Sequence, residues 1–414
     1  RYLKSFYKAI LDINKPLRLW VRIDYLRKGD TKMKLNSFAK FSLLSISILL
    51  MSHLAISPVI PNLYKFYHES NPNIGLASVE SLATIPAMMI TIFVLLSNGV
   101  IKFIGKKNTV LLGLLLIFIF GIVPAFTTNF KVVLISRLFL GAGIGLFNSL
   151  SISMISDFFD EEHRGTMIGL RTAFLNIGKA LTTFISGYLL IYGIQYTFLV
   201  YALALPIFII FLLFVPNAEN VNNKKVSIKF HKETIILTLL TFLVGISYMG
   251  ATIKIPTLLA EKYHYQPDVA RNLLTILALS GILSGVIFGI LVKRFKNLTL
   301  PIMLSFMTIG SVLFALTNNI VIFYIAAIFI GISFVGTMSF NFFYISNKLE
   351  NKFINFATSV ILVGGNIGVI LTPVVLTKIP EALQLEKYTT PFFITTTLML
   401  ISTLVSYTVL KNKK

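Results

Sequence analysis

Stretches of about twenty mostly apolar residues recur along this chain, each long enough to carry an α-helix across the hydrocarbon core of a bilayer. They fall near 41–61, 77–100, 110–127, 131–155, 166–191 and 196–215. After a polar stretch at 216–232 they resume near 233–254, 271–292, 299–317, 320–345, 356–378 and 391–410. A backbone in lipid has no water to bond, so each run must satisfy its own peptide groups as a helix. Only 13% of the 414 residues are charged, against about a quarter in a soluble domain. The pattern predicts an all-α integral membrane protein of twelve transmembrane helices, embedded in a lipid bilayer. No cysteine is present, which excludes disulfides and thiolate metal sites.

The net charge of +21 would suit a nucleic-acid binder, but its placement argues against that partner. The basic residues fall in short bursts in alternate loops: Lys102, Lys106 and Lys107; Arg164; Lys224, Lys225, Lys229 and Lys232; Lys293, Arg294 and Lys296; Lys348 and Lys352; Lys411, Lys413 and Lys414. The intervening loops hold scattered bases such as Lys65, Lys262 and Lys387, offset by Glu69, Glu261 and Glu386. The positive-inside rule then puts both termini in the cytoplasm of a bacterial cell, with the protein in the plasma membrane. Residues 1–32 differ from the rest, holding the one Trp and four Arg. Arg27 to Met33 reads as a translated ribosome-binding sequence and start codon. The native chain is therefore expected to begin at Met33, a basic amphipathic anchor being the alternative; N-terminal sequencing of native protein decides between them.

The polar stretch 216–232 divides the remainder into halves, 33–215 and 233–414, each of six crossings. Three coincidences link them at an offset of about 190 residues: Gly141 with Gly331, Gly178 with Gly368, and Thr182 with Thr372. Parallel six-helix repeats would surround a central cavity, with substrate at the repeat interface near the midplane.

Arg137 stands inside the fourth run and is followed by Gly141, Gly143 and Gly145. A charge at this depth costs several kcal/mol (about 3 on insertion scales) unless it faces a partner or a cavity. Small residues at such spacing let another helix approach closely. This segment resembles the fourth-helix motif of the major facilitator superfamily. Asp157 to Gly165, with Asp160, Glu161, Glu162, His163 and Arg164, is similar to the loop that follows it. Asn98 to Lys107 resembles the loop between the second and third helices, but Lys102 stands where that motif carries an aspartate and Asn98 where it carries a glycine. Gly169 to Gly178 resembles the first part of the antiporter motif, whose later Gly-Pro and Gly-Gly appear here as Thr182-Thr183 and Ser186-Gly187. The resemblance covers 33–414 and implies secondary active transport, commonly proton-coupled, without ATP hydrolysis; no Walker-type sequence occurs. No cofactor or metal is expected, and the chain is not expected to be an enzyme.

Helical periodicity sorts the embedded polar residues. Thr172, Asn176, Lys179, Thr183 and Ser186 lie within an arc of roughly 80° on the fifth crossing. Glu80, Thr84, Thr91 and Asn98 form a similar stripe on the second, and Arg137, Gly141, Asn148 and Ser151 cluster on the fourth. Glu80, Arg137 and His53 are the candidates for proton coupling. Lys179, Asn176, Thr183, Asn148, Asn341 and Asn366 are the candidates for substrate. Gly105, Lys106, Lys107, Asp157, Arg164, Gly141, Gly145 and Gly178 are the candidates for gating, with Asp157–Arg164 and Lys106–Glu161 as expected pairs. Each has a structural alternative: Glu80 as a headgroup-zone residue, Arg137 as a ligand of backbone carbonyls, Lys179 and His53 as packing residues. The second half offers Tyr248, Ser280, Ser284, Thr337, Asn341, Tyr344, Asn366 and Thr372. Charge and proton work are thus assigned to the first half and uncharged lining to the second, with Lys254 and Arg271 near outer ends.

The leading expectation is a monomeric, proton-coupled antiporter for efflux of small amphipathic or lipophilic compounds, driven by protons. The alternative is a symporter or facilitator for a sugar or small organic anion, with Arg137 and Lys179 as anion clamps. A non-transporting membrane sensor is the third reading.

Overall fold

The computed structural model describes residues 37–159, 161–217 and 231–411. The expected leader, most of the central linker and the last three residues lie outside these. Helix α1 is Ser37–Leu49 continued after a 43° bend by Ser52–Ser70. Helices α2 and α3 share the apolar stretch Leu76–Phe126. Its 51 residues would span about 75 Å as one helix, over twice the hydrocarbon core. The break falls at Gly105, whose φ of +80° no side-chain-bearing residue adopts comfortably. Then come α4 (Phe130–Phe158), α5 (Glu161–Leu189) and α6 (Gln195–Phe214). The second series is α7 (Lys232–Lys262), α8 (Pro267–Phe295), α9 (Thr299–Leu316), α10 (Ile320–Lys348), α11 (Asn351–Pro373, continued to Ala382) and α12 (Thr390–Lys411).

Two apolar cores organise these crossings. One gathers residues of α1–α6, from Ala39 to Val215, and takes in Met249 and Ile253 of α7. The other gathers residues of α7–α12, from Leu237 to Met399. Large apolar side chains such as Leu95, Ile135, Leu283 and Leu404 remain exposed on the outside, as a lipid-facing surface requires. The loops with Lys106 and Lys293 mark one end of the bundle, called here the basic end.

The glycines of α4 work in alternation. A Cβ on Gly141 would strike the backbone of Pro86, and one on Gly145 would lie 2.7 Å from Phe93 Cβ, so both face α2. Gly143 faces the other way, where a Cβ would lie 2.6 Å from the Gly113 carbonyl of α3. Residues four apart share a helix face while residues two apart do not. One short sequence thus clears space for two neighbours at once.

The repeat is carried by equivalent contacts. Gly141 abuts Pro86 of α2 and Gly331 abuts Leu277 of α8; Gly178 abuts Ile48 of α1 and Gly368 abuts Phe242 of α7. Thr182 donates to the Gly178 carbonyl at 2.8 Å and Thr372 to the Gly368 carbonyl at 3.0 Å. The helix starts repeat too. The Asn129 side chain accepts from Lys131 N and caps α4, while Asn319 accepts from Val321 N and caps α10. Thr127 and Thr317 accept from the capping residues' own amides. These caps, which sequence reading passed over, satisfy amides that a helix start leaves unpaired.

Candidate functional site

Arg137 is fully buried and donates to three neutral oxygens: the Leu82 carbonyl at 2.8 Å, the His53 carbonyl at 2.6 Å and Tyr201 Oη at 2.6 Å. Two breaks in helical bonding supply these acceptors. Pro86 stands four residues after Leu82 and has no N–H, so the Leu82 carbonyl lacks its helical donor. Residues 46–59 of α1 wind as successive tight turns rather than α-helix, which frees carbonyls there. Tyr201 Oη in turn donates to the Ser52 carbonyl at 3.0 Å. Arg137 therefore closes the gaps left by a proline and an irregular helix. His53 is buried and its Nδ1 has no hydrogen-bond partner among the described residues.

At mid-depth, Lys179 is 1% exposed and donates to Tyr248 Oη of α7. Its ammonium also lies 4.2 Å from the Tyr248 ring centroid, and that ring stacks on Phe334 at 3.7 Å. No carboxylate lies within 4.0 Å of Lys179 among the described residues. Asn176 lies against Gly281 of α8, where a Cβ would approach its Oδ1 to 2.6 Å. Asn366 of α11 donates to Thr91 Oγ1 of α2 at 2.8 Å. The two asparagines occupy equivalent places, each reaching from its own half into the other. Thr183 Oγ1 is buried without a hydrogen-bond partner among the described residues. Two substrate candidates lie elsewhere. Asn341 is buried within the second half, donating to Thr241 Oγ1 at 2.9 Å. Asn148 is half-buried at the basic-end side of α4, its carbonyl accepting from Ser151.

Farther from the basic end, Lys254 Nζ lies 2.6 Å from Glu80 Oε1, and both side chains are almost wholly buried. Lys254 also donates to Thr377 Oγ1 at 2.6 Å, and Thr377 donates to Glu80 Oε2. Glu80 comes from α2, Lys254 from α7 and Thr377 from the end of α11. The structural alternative for Glu80, a helix-start residue facing the headgroup zone, is therefore corrected: its side chain is walled in by the opposite half. The assignment of all charge work to the first half is corrected with it. Sequence reading treated Lys254 as an outer-end residue because periodicity along α7 cannot reveal a partner on α2. Nearby, the Arg271 stem fills the space left by Gly187, and its guanidinium lies 4.9 Å from the Phe184 centroid.

At the basic end, Lys106 pairs with Asp157 at 2.6 Å; the expected Asp157–Arg164 and Lys106–Glu161 pairs involve side chains outside the described residues. Lys107 donates to the Leu212 carbonyl at 2.8 Å, near the C-terminus of α6, where a cation suits the helix dipole. Lys102 is exposed. Gly105 supplies the α2–α3 break. Gly141, Gly145 and Gly178 are close-packing positions. The polar contacts observed between the halves (Asn366–Thr91, Lys179–Tyr248 and the Glu80 cluster) all lie at mid-depth or beyond it, away from the basic end.

The sequence matches the Major Facilitator Superfamily over residues 42–373 and again over 237–414. A stretch of 126 residues is 29% identical to the arabinose-proton symporter of Escherichia coli, spanning 30% of this chain and 26% of that protein's length. Among solved structures, the fold is similar to a bacterial homolog of the human lysosomal transporter Spinster, in an inward-facing and unoccupied conformation. The TM-score is 0.69 at 13% identity, covering 91% of this chain and 98% of that one. The nucleoside transporter NupG gives a TM-score of 0.73 at 14% identity, covering 89% and 99%. With the family match running across nearly all the described residues, and helices packed as those transporters pack theirs, the chain belongs to the major facilitator superfamily of membrane transporters.

Proposed function

We propose that this protein is a proton-coupled secondary transporter of small hydrophilic solutes, working by alternating access with the basic end in the cytoplasm. The observation that carries this reading is Glu80: a fully buried carboxylate whose ion-pair partner and hydroxyl donor both belong to the opposite half. Parting the halves on that side must expose the carboxylate to water and remove its counter-charge, so proton binding and the opening of that side are linked. In this reading Arg137 holds α1, α2 and α6 in place behind the cavity and His53 adjoins it. Lys179, Asn176, Thr183 and Asn366 face the solute. Lys106, Lys107 and Asp157, with Arg164, gate the basic end, pivoting on the close glycine contacts. The relative in Escherichia coli is itself a sugar-proton symporter by name, which favours symport over the efflux expected at first. Efflux of amphipathic compounds stays as the second reading, favoured by the apolar Tyr248–Phe334 stack beside Lys179.

The test uses proteoliposomes with an imposed proton gradient. Glu80→Gln is expected to abolish gradient-driven accumulation yet keep solute exchange at equilibrium. Accumulation that survives in Glu80→Gln rejects Glu80 as the proton carrier. Uptake that runs against the proton flow, rather than with it, selects efflux.

A further inference from the structure

We infer that the Lys179 site takes a small hydroxylated carboxylate. Its charge would rest on the Lys179 ammonium, and its hydroxyls on Ser57, Thr183, Ser186 and Ser247. This rests on the reading above that the mid-depth cluster is the transport site, and it deepens that reading by naming the chemistry of the solute.

The first argument is charge. An ammonium 1% exposed, whose hydrogen-bond partner is a neutral phenol with its ring alongside, lacks among the described residues the carboxylate that buried lysines normally require. Lys254 in the same molecule has such a partner in Glu80, so the fold can supply an acid and does not supply one to Lys179. The nearest analogue among the buried cations, Arg137, is committed to neutral oxygens behind α1 and α2. One free positive charge matches one negative charge. A dianion would stay half compensated, and a cation would be repelled.

The second argument is hydrogen bonding. Serine and threonine hydroxyls in helices ordinarily bond back to a carbonyl three or four residues earlier. Thr182, Thr241 and Thr252 do so here. Ser57, Thr183, Ser186 and Ser247 do not: each is buried with no hydrogen-bond partner among the described residues. Other buried hydroxyls such as Ser47, Thr234 and Thr299 share that state, so it is their placement around Lys179 and Tyr248 that sets these four apart. Buried polar groups in native proteins are nearly all paired, so such exceptions ask for a reason. Their placement offers one. Thr183 and Ser186 follow Lys179 on one face of α5, about 6 and 10 Å along its axis. Ser247 precedes Tyr248 on α7, and Ser57 lies on the turn of α1 that packs against α5, α7 and α8. A ligand with a carboxylate at one end and hydroxyls over several carbons matches that series. An uncharged sugar leaves Lys179 uncompensated, and a lipophilic compound leaves the hydroxyls bare.

The test is binding to purified protein in detergent without any gradient, by calorimetry and thermal shift. The probes are gluconate and glycerate, their amides gluconamide and glyceramide, and glucose. At least one carboxylate should bind tenfold or more tightly than its amide. Lys179→Met should erase that preference, while Lys65→Met, at an exposed lysine away from the site, should leave it intact. Equal or tighter binding of the amides or of glucose, or no binding of either carboxylate, overturns the proposal. If Lys179→Met fails to fold, the acid-against-amide comparison on the unaltered protein decides alone. Because no gradient is present, a loss of proton-driven accumulation in vesicles rejects proton coupling without touching this result.

Discussion

Lys254 Nζ and Glu80 Oε1 lie 2.6 Å apart, and the two residues come from opposite six-helix halves. Thr377 completes the contact, accepting from the lysine and donating to the carboxylate. An ion pair taken wholly out of water is weak evidence for stability, because desolvation offsets its attraction. In the proposed mechanism, in which the halves separate, its position across the interface gives it a different use: it would hold one end shut only while both charges are present.

Removing one partner should therefore cost far more than removing both. Lys254→Met leaves a buried carboxylate uncompensated and is expected to destabilise the protein by about 3–5 kcal/mol. The double change Glu80→Leu with Lys254→Met should recover most of that loss. Thermal unfolding in detergent reads both; equal losses in the single and double variants would sink the idea that the charges compensate each other.

Lys179 should behave in the opposite way. Its charge is buried with no acid within 4.0 Å among the described residues, so Lys179→Met removes a desolvation cost and keeps the stem's packing. A gain of roughly 1–2 kcal/mol is expected, with loss of transport, as when a site is kept for function at the expense of stability. A destabilised Lys179→Met variant would show that the Tyr248 contact is a structural tie.

The glycine contacts predict a graded series. A Cβ at Gly141 or Gly178 meets the backbone of Pro86 or Ile48, and backbone cannot move aside as a side chain can. Gly141→Ala and Gly178→Ala are expected to cost about 1–3 kcal/mol each. Gly331→Ala and Gly368→Ala should match them as their counterparts in the second half. Gly169→Ala, with nothing within 4 Å of the added carbon, should be neutral or gain up to about 1 kcal/mol from helix propensity. A costly Gly169→Ala beside a harmless Gly141→Ala would reverse the packing argument.

Arg137 is expected not to tolerate lysine. Its planar guanidinium reaches the Leu82 and His53 carbonyls and Tyr201 Oη from one centre; a single ammonium cannot span all three. Arg137→Lys should cost about 2–4 kcal/mol, since buried carbonyls are left unpaired. The loss should appear as lower thermal stability together with lower transport, and a stable but inactive Arg137→Lys would instead assign Arg137 to the proton path.

Much of the architecture is legible in the amino acids. Apolar runs of the right length reveal the crossings, and the pairs at an offset of about 190 residues reveal the repeat. Arg137 and its glycines identify the family. Local reasoning even contains the reason for Arg137, because Pro86 follows Leu82 by four residues, although only the folded chain brings α4 beside that gap. The stripe on α5 likewise puts Asn176, Lys179 and Thr183 on one helix face from their spacing alone. Asn341 shares that polar character, but its amide turns into its own half, to Thr241. Periodicity reports which face of a helix a residue occupies, and it does not report what the face meets.

Sequence by itself therefore determined the class of fold and the family, because those follow from length, spacing and composition along single helices. The tertiary structure alone decided the partners. It put Glu80 against Lys254 and Thr377, left Lys179 with a tyrosine and no acid, and paired Lys106 with Asp157. Whether a buried charge is a latch, a strut or a binding group depends on what stands a few ångströms away, often more than a hundred residues along the chain.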